Sequence, residues 1–105
     1  MQQKRVVITG LGLVTPLGND VASTWQNLIQ GKSGADNITH FDASKFKTQF
    51  ACEVKGLDMS SLLDAKELRR YDRYIHYALK SAEEALLDAK VSIEQEDALR
   101  CGVIF

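Results

Sequence analysis

The chain has one proline, two cysteines, no basic excess and no long apolar run, and each shortage removes a class of protein. Thirteen basic residues stand against 14 acidic ones, for a net charge of −1. A nucleic-acid binder usually carries a global positive excess, so no nucleic-acid partner is expected. No apolar stretch approaches the length needed to cross a bilayer, and no membrane association is expected. The start, Met1-Gln2-Gln3-Lys4-Arg5, leads only into Val6-Val7-Ile8. A secretory signal needs a longer apolar core and a small-residue cleavage site, so a cytoplasmic location is expected. Cys52 and Cys101 have neither C-x-x-C nor metal-ligand spacing. In a cytoplasmic protein they read as reduced, buried thiols. No cofactor or metal pattern is present.

What remains is an ordinary folded composition, 45% apolar and 26% charged, in 105 residues, enough for one domain at most. Arg5 to Thr9 is β-branched and apolar and reads as a buried strand ended by Gly10. Gly10 to Gly18 is a glycine-punctuated loop, and Pro16 forbids a regular helix through it. Asn19 or Asp20 then caps a helix whose apolar face is Val21, Trp25, Leu28 and Ile29, with Gly31 suited to its end. Phe50, Cys52 and Val54 alternate with Ala51 and Glu53, suggesting a short strand before Gly56. Ile38, Phe41 and Phe46 read as plugs anchoring loops to a core. A long helix is predicted from about Lys66 to Ala89, with Leu68, Tyr71, Ile75, Ala78, Leu79, Ala82, Leu86 and Ala89 in period. After a polar turn at Ser92 to Asp97, Cys101 to Phe105 reads as a second buried strand.

Strand, helix, long helix, strand is a β-α-α-β order that favours a parallel pair and an α/β fold. Two parallel strands leave apolar faces and open edges. The expectation is therefore an unfinished half-domain, cut short at its C-terminal end and weakly stable alone.

Three groups of residues are candidates for chemistry. The loop after the first strand carries Gly10 and Gly12, but Thr15 stands where a nucleotide fingerprint needs its third glycine. No Gly-Lys-Ser/Thr follows, so a turn packing strand against helix is the better reading. Cys52, Cys101, His40 and His76 invite a Cys-His-His catalytic set. A nucleophilic thiol needs a lowered pKa, often at a helix N-terminus, and both cysteines fall on predicted strands. The third group is Lys66, Arg69, Arg70 and Arg73, at i, i+3, i+4 and i+7 on the predicted helix. Cations near a helix start oppose the macrodipole, so they do not serve helix stability there. The face is either solvated, with local pairs such as Glu67–Arg70, or a dock for an acidic partner.

The segment Arg5 to Asn19, Arg-Val-Val-Ile-Thr-Gly-Leu-Gly-Leu-Val-Thr-Pro-Leu-Gly-Asn, resembles the opening of the β-ketoacyl-acyl-carrier-protein synthases. Ser23-Thr24-Trp25, Gly31-Lys32-Ser33-Gly34, His40-Phe41-Asp42 and Lys66-Glu67-Leu68-Arg69-Arg70 with Asp72 match in the same order. The ordered set runs the length of the chain and looks more like the type II enzymes than type I. The resemblance implies a thiolase-like fold of two similar α/β halves in a homodimer, with residues 1–105 as the N-terminal portion of the first. It also implies decarboxylative condensation of acyl- and malonyl-carrier thioesters, as in fatty acid elongation. In that family the nucleophilic cysteine and both histidines lie beyond the position matching Phe105, so no catalytic residue carries over. What carries over is docking of the acidic acyl carrier protein, at Lys66, Arg69 and Arg70. Arg73 extends the same face, and the resemblance assigns it no role. A non-catalytic chain-length-factor homologue, or a stand-alone carrier-binding module, would carry the same features.

Overall fold

The computed structural model describes all of residues 1–105. In chain order its elements are α1 (Val21–Ile29), β1 (Asp36–Asn37), β2 (Phe50–Ala51), α2 (Ala65–Arg70) and α3 (Arg73–Ala89), followed by single 3₁₀ turns at Ile93–Gln95 and Ala98–Arg100. β1 and β2 pair antiparallel, with Asp36 opposite Ala51 and Asn37 opposite Phe50. That pair is the whole sheet.

The expected parallel pair is absent. Residues 5–9 and 101–105 form no strand. Val6 and Ile8 at one end, and Val103, Ile104 and Phe105 at the other, are more than four-fifths exposed. A strand exists only where a neighbour takes up its N–H and C=O groups, and here neither segment has one. The apolar face of α1 is likewise uncovered, with Trp25, Leu28 and Ile29 more than half exposed. The residue α1 buries is Thr24. Phe41 and Phe46 pack edge to face on each other, centroids 5.7 Å apart, and stay exposed where plugs into a core were expected. Both cysteines are exposed as well. The buried apolar residues are Ala43, Met59 and Leu63.

The predicted long helix is two helices. Tyr71 and Asp72 are extended, at ψ 138° and 157°. No glycine or proline marks the break, which is why periodicity ran through it. Asp is among the poorest helix formers outside those two and favours the cap position, and Asp72 stands at the N-cap of α3. α3 ends at Lys90, a left-handed residue at φ 55°.

The glycine loop is held on α3. A Cβ on Gly10 would sit 2.2 Å from the Ala85 carbonyl oxygen, and one on Gly12 would sit 1.9 Å from that of Ser81. Ser81, Ala85 and Ala89 follow at i, i+4 and i+8, a shallow groove of small residues along one side of the helix. Two carboxylates of α3 complete the join. The Leu11 N–H donates to Asp88 Oδ2 at 3.0 Å and the Leu13 N–H to Glu84 Oε2 at 2.9 Å. Glu84 Oε1 also accepts the Val21 N–H at 2.8 Å, tying the start of α1 to α3. The loop closes in a turn, Thr15 to Gly18, with Pro16 at its second position, where proline's fixed φ fits.

Candidate functional site: a cationic ridge and the cleft beside it

α2 begins at Asp64, whose Oδ1 accepts the N–H groups of Lys66 and Glu67, both at 2.8 Å. Glu67 reaches back so that its Oε2 accepts the Asp64 N–H at 3.1 Å. This reciprocal capping box satisfies amides a helix start leaves unpaired. It also withdraws Glu67 from pairing: the Glu67–Arg70 pair expected of a solvated face does not form, since the ion pairs are Lys55–Asp36 and Lys80–Glu83 and the one other close contact of a basic ring with a carboxylate is His40–Glu53.

Lys66, Arg69, Arg70 and Arg73 are therefore exposed cations without a carboxylate within 4.0 Å. Arg69 donates its Nε–H to the Ala65 carbonyl at 3.1 Å, which steadies its stem. The helix break changes the electrostatics expected of these residues. Arg69 and Arg70 lie in the last turn of α2, where the macrodipole favours cations, so they do support their helix. Arg73 sits across the break, in the first turn of α3. The single four-cation face expected on one helix is thus three cations on α2 and a fourth on α3.

Beside the ridge, the 54–60 segment and the first turns of α3 enclose an open cleft of about 320 Å³. His40, Asp58, Arg73, His76 and Tyr77 are among its lining residues. The cleft brings together both histidines of the suspected Cys-His-His set, and neither cysteine lines it. His40 Nε2 lies 3.7 Å from Glu53 Oε1. Glu53 is held by the Thr39 hydroxyl at 2.8 Å and by the Thr39 and His40 amides. The Thr39 hydroxyl does most to hold its carboxyl below the usual range. The Nε2 of His76 is shielded from solvent and has no hydrogen-bond partner. Asp58 accepts the Ser60 N–H at 2.9 Å, and that bond, ahead of the field of Lys80, keeps its carboxyl ionised to lower pH.

The glycine loop is no anion cradle. Its Leu11 and Leu13 amides are already taken by carboxylates, and a phosphate there would meet Asp88 and Glu84. The packing reading of this loop holds. Reading the sequence missed both carboxylates. Their signal was available: acidic residues at i and i+4 beside small residues on a helix.

The chain matches the profile of the family described as "Beta-ketoacyl synthase, N-terminal domain" over residues 3–105. It is 48% identical to 3-oxoacyl-[acyl-carrier-protein] synthase 2 of Coxiella burnetii, across 98% of this chain and 25% of that protein. The proteins of the same name from Staphylococcus aureus (strain COL) and Synechocystis sp. are 44% and 43% identical over 97% and 99% of this chain, again 25% of each relative. The chain thus spans about a quarter of the length of these curated relatives. Among solved structures, "The ishigamide ketosynthase/chain length factor" superposes with a TM-score of 0.73 at 32% identity, over 84% of this chain and 22% of that one.

Proposed function

Since the chain belongs to the β-ketoacyl synthase family through that family's N-terminal domain, we propose that it works as the N-terminal quarter of a 3-oxoacyl-[acyl-carrier-protein] synthase of type II. In this reading residues 1–105 supply scaffold and carrier docking to the first thiolase-like half of a homodimeric enzyme. The condensation needs a thiolate to attack the acyl thioester and hydrogen-bond donors for the charge that develops on decarboxylation. Cys52 and Cys101 are exposed and stand apart from the cleft that holds His40 and His76. The chemistry therefore falls to residues outside this chain, which alone would be inactive.

The observation that carries the docking role is the unpaired state of Lys66, Arg69 and Arg70. Three exposed cations on a six-residue helix leave a positive field that an acidic carrier can use. Such steering acts mostly on association rate and fades with salt. The test is Arg69→Glu with Arg70→Glu in a synthase carrying this chain. The apparent KM for acyl-carrier substrate should rise about tenfold or more, since like charges at a docking face cost several kcal/mol, while a small thioester substrate reacts almost as before. Equal losses with both substrates would make the two arginines structural.

A second reading, a non-catalytic homologue, draws on the structural relative whose title includes a chain length factor. Curated relatives at 42–48% identity, all named as synthases, weigh against it. A cysteine at the nucleophile position downstream decides between the two.

A further inference from the structure

We infer that Arg73 is a fourth docking residue, one that receives a carboxylate of the acidic carrier at the mouth of the cleft beside α2. The inference rests on the docking reading above and adds a residue that the resemblance does not supply.

Arg73 is placed against the interest of its own helix. It is the first residue of α3, where the macrodipole presents partial positive charge and disfavours a cation. Arg69 and Arg70, at the other end of α2, gain from theirs. No ion pair offsets the cost. Arg73 has no ion-pair partner, and Asp72 makes no side-chain bond to cap α3. A long charged side chain at a helix start, exposed and unpaired, is poised for a group from outside.

The cleft gives that group somewhere to go. Arg73 stands at its wall with His40, Asp58 and His76. The Nε2 of His76 is buried and unpartnered, and buried polar atoms in that state are uncommon in folded proteins. Asp58 opposes an incoming carboxylate, although one of its oxygens is engaged by the Ser60 amide. His40 is paired with Glu53. Arg73 is thus the cation that keeps the cleft from being acidic overall. A partner seated on Lys66, Arg69 and Arg70 would reach it by crossing only the Tyr71–Asp72 step.

The role separates from a structural one because stability and binding should move in opposite directions. The experiment titrates acyl carrier protein into a synthase carrying this chain and into its variants at low salt, and follows helicity by circular dichroism in parallel. Arg73→Ala should weaken binding about two- to fivefold, the range for an exposed charge pair, and Arg73→Glu should weaken it further. Arg73→Glu should also leave helicity equal or higher, because an acidic residue suits the first turn. If Arg73→Ala binds as tightly as the unsubstituted chain while the Arg69→Glu, Arg70→Glu chain binds weakly, Arg73 is no docking residue and the ridge on α2 stands alone. If Arg73→Glu loses helicity and binding together, its role is structural. If the α2 double reversal also binds normally, the docking reading fails and takes this inference with it.

Discussion

Gly12 shows how tightly single residues constrain this chain. Its α-carbon lies so close to α3 that a methyl group would come within 1.9 Å of the Ser81 carbonyl oxygen, and a helix backbone cannot give way as a side-chain tip can. Gly12→Ala should therefore push the loop off the helix and strain the Leu13–Glu84 bond. We expect a loss of about 1–3 kcal/mol, the range for overpacking, read as faster amide exchange at Leu11 and Leu13. Gly102→Ala is the control, since nothing lies within 4 Å of its added carbon; it should be near neutral. Equal protection in both variants would mean that the loop is not held on α3. Gly31, left-handed at φ 68° after α1, is glycine for a different reason: its backbone conformation, with open space around it.

At the scale of the element, each helix start is specified by one aspartate, and the three behave differently. Asp64 builds a full capping box, Asp72 makes no cap bond, and Asp20 caps α1 through Ser23. The Ser23 hydroxyl and then the Ser23 amide donate to Asp20 Oδ1, both at 2.7 Å, and lower its pKa below the ordinary 3.8. The sign follows from that direction. A carboxylate favoured in the folded state adds stability that is present above the unfolded value and lost as pH falls through the lowered one. α1 should thus lose helicity in acid, below about pH 4. Asp20→Asn keeps a good capping oxygen that does not titrate, so the variant should show a flatter acid limb in circular dichroism. Identical acid limbs in the two proteins would rule out Asp20 as the group that titrates.

For the molecule as a whole, the accessible surface and the radius of gyration agree. A folded 11.7 kDa monomer exposes about 5,900 Å², and this chain exposes 9178 Å². A compact domain of its length has a radius of gyration of about 13 Å, against 17.5 Å here, with extents of 59 × 37 × 24 Å. The uncovered apolar surface of α1 and of the segments at 5–9 and 101–105 is part of the excess. With so little buried, the hydrophobic term cannot offset much chain entropy. Small-angle scattering of the chain should give a radius near 17.5 Å, and thermal unfolding should be broad. A radius near 13 Å with a sharp cooperative melt would mean that these surfaces close on one another.

Local chemistry was legible in the sequence because it acts over a few residues. The α1 cap, the end of α1 at Gly31, the turn at Pro16 and the three cations of α2 all depend on neighbours within about one helical turn. The glycine loop's packing role could be read too, since Thr15 broke the nucleotide pattern. The whole-chain order of motifs carried the family. What needed the tertiary arrangement was everything that depends on a distant partner. The 5–9 and 101–105 segments have strand-like composition and no strand to pair with, so their β-propensity has nothing to act on. The roles of Glu84 and Asp88 depend on a loop 71 to 77 residues away, whose amides donate to them. The break at Tyr71–Asp72 has no glycine or proline to announce it, and it alone put Arg73 on a separate helix from Arg70. Helix propensities differ by only tenths of a kcal/mol at such positions, so the preference of Asp72 for a cap position was too weak a signal to announce the break.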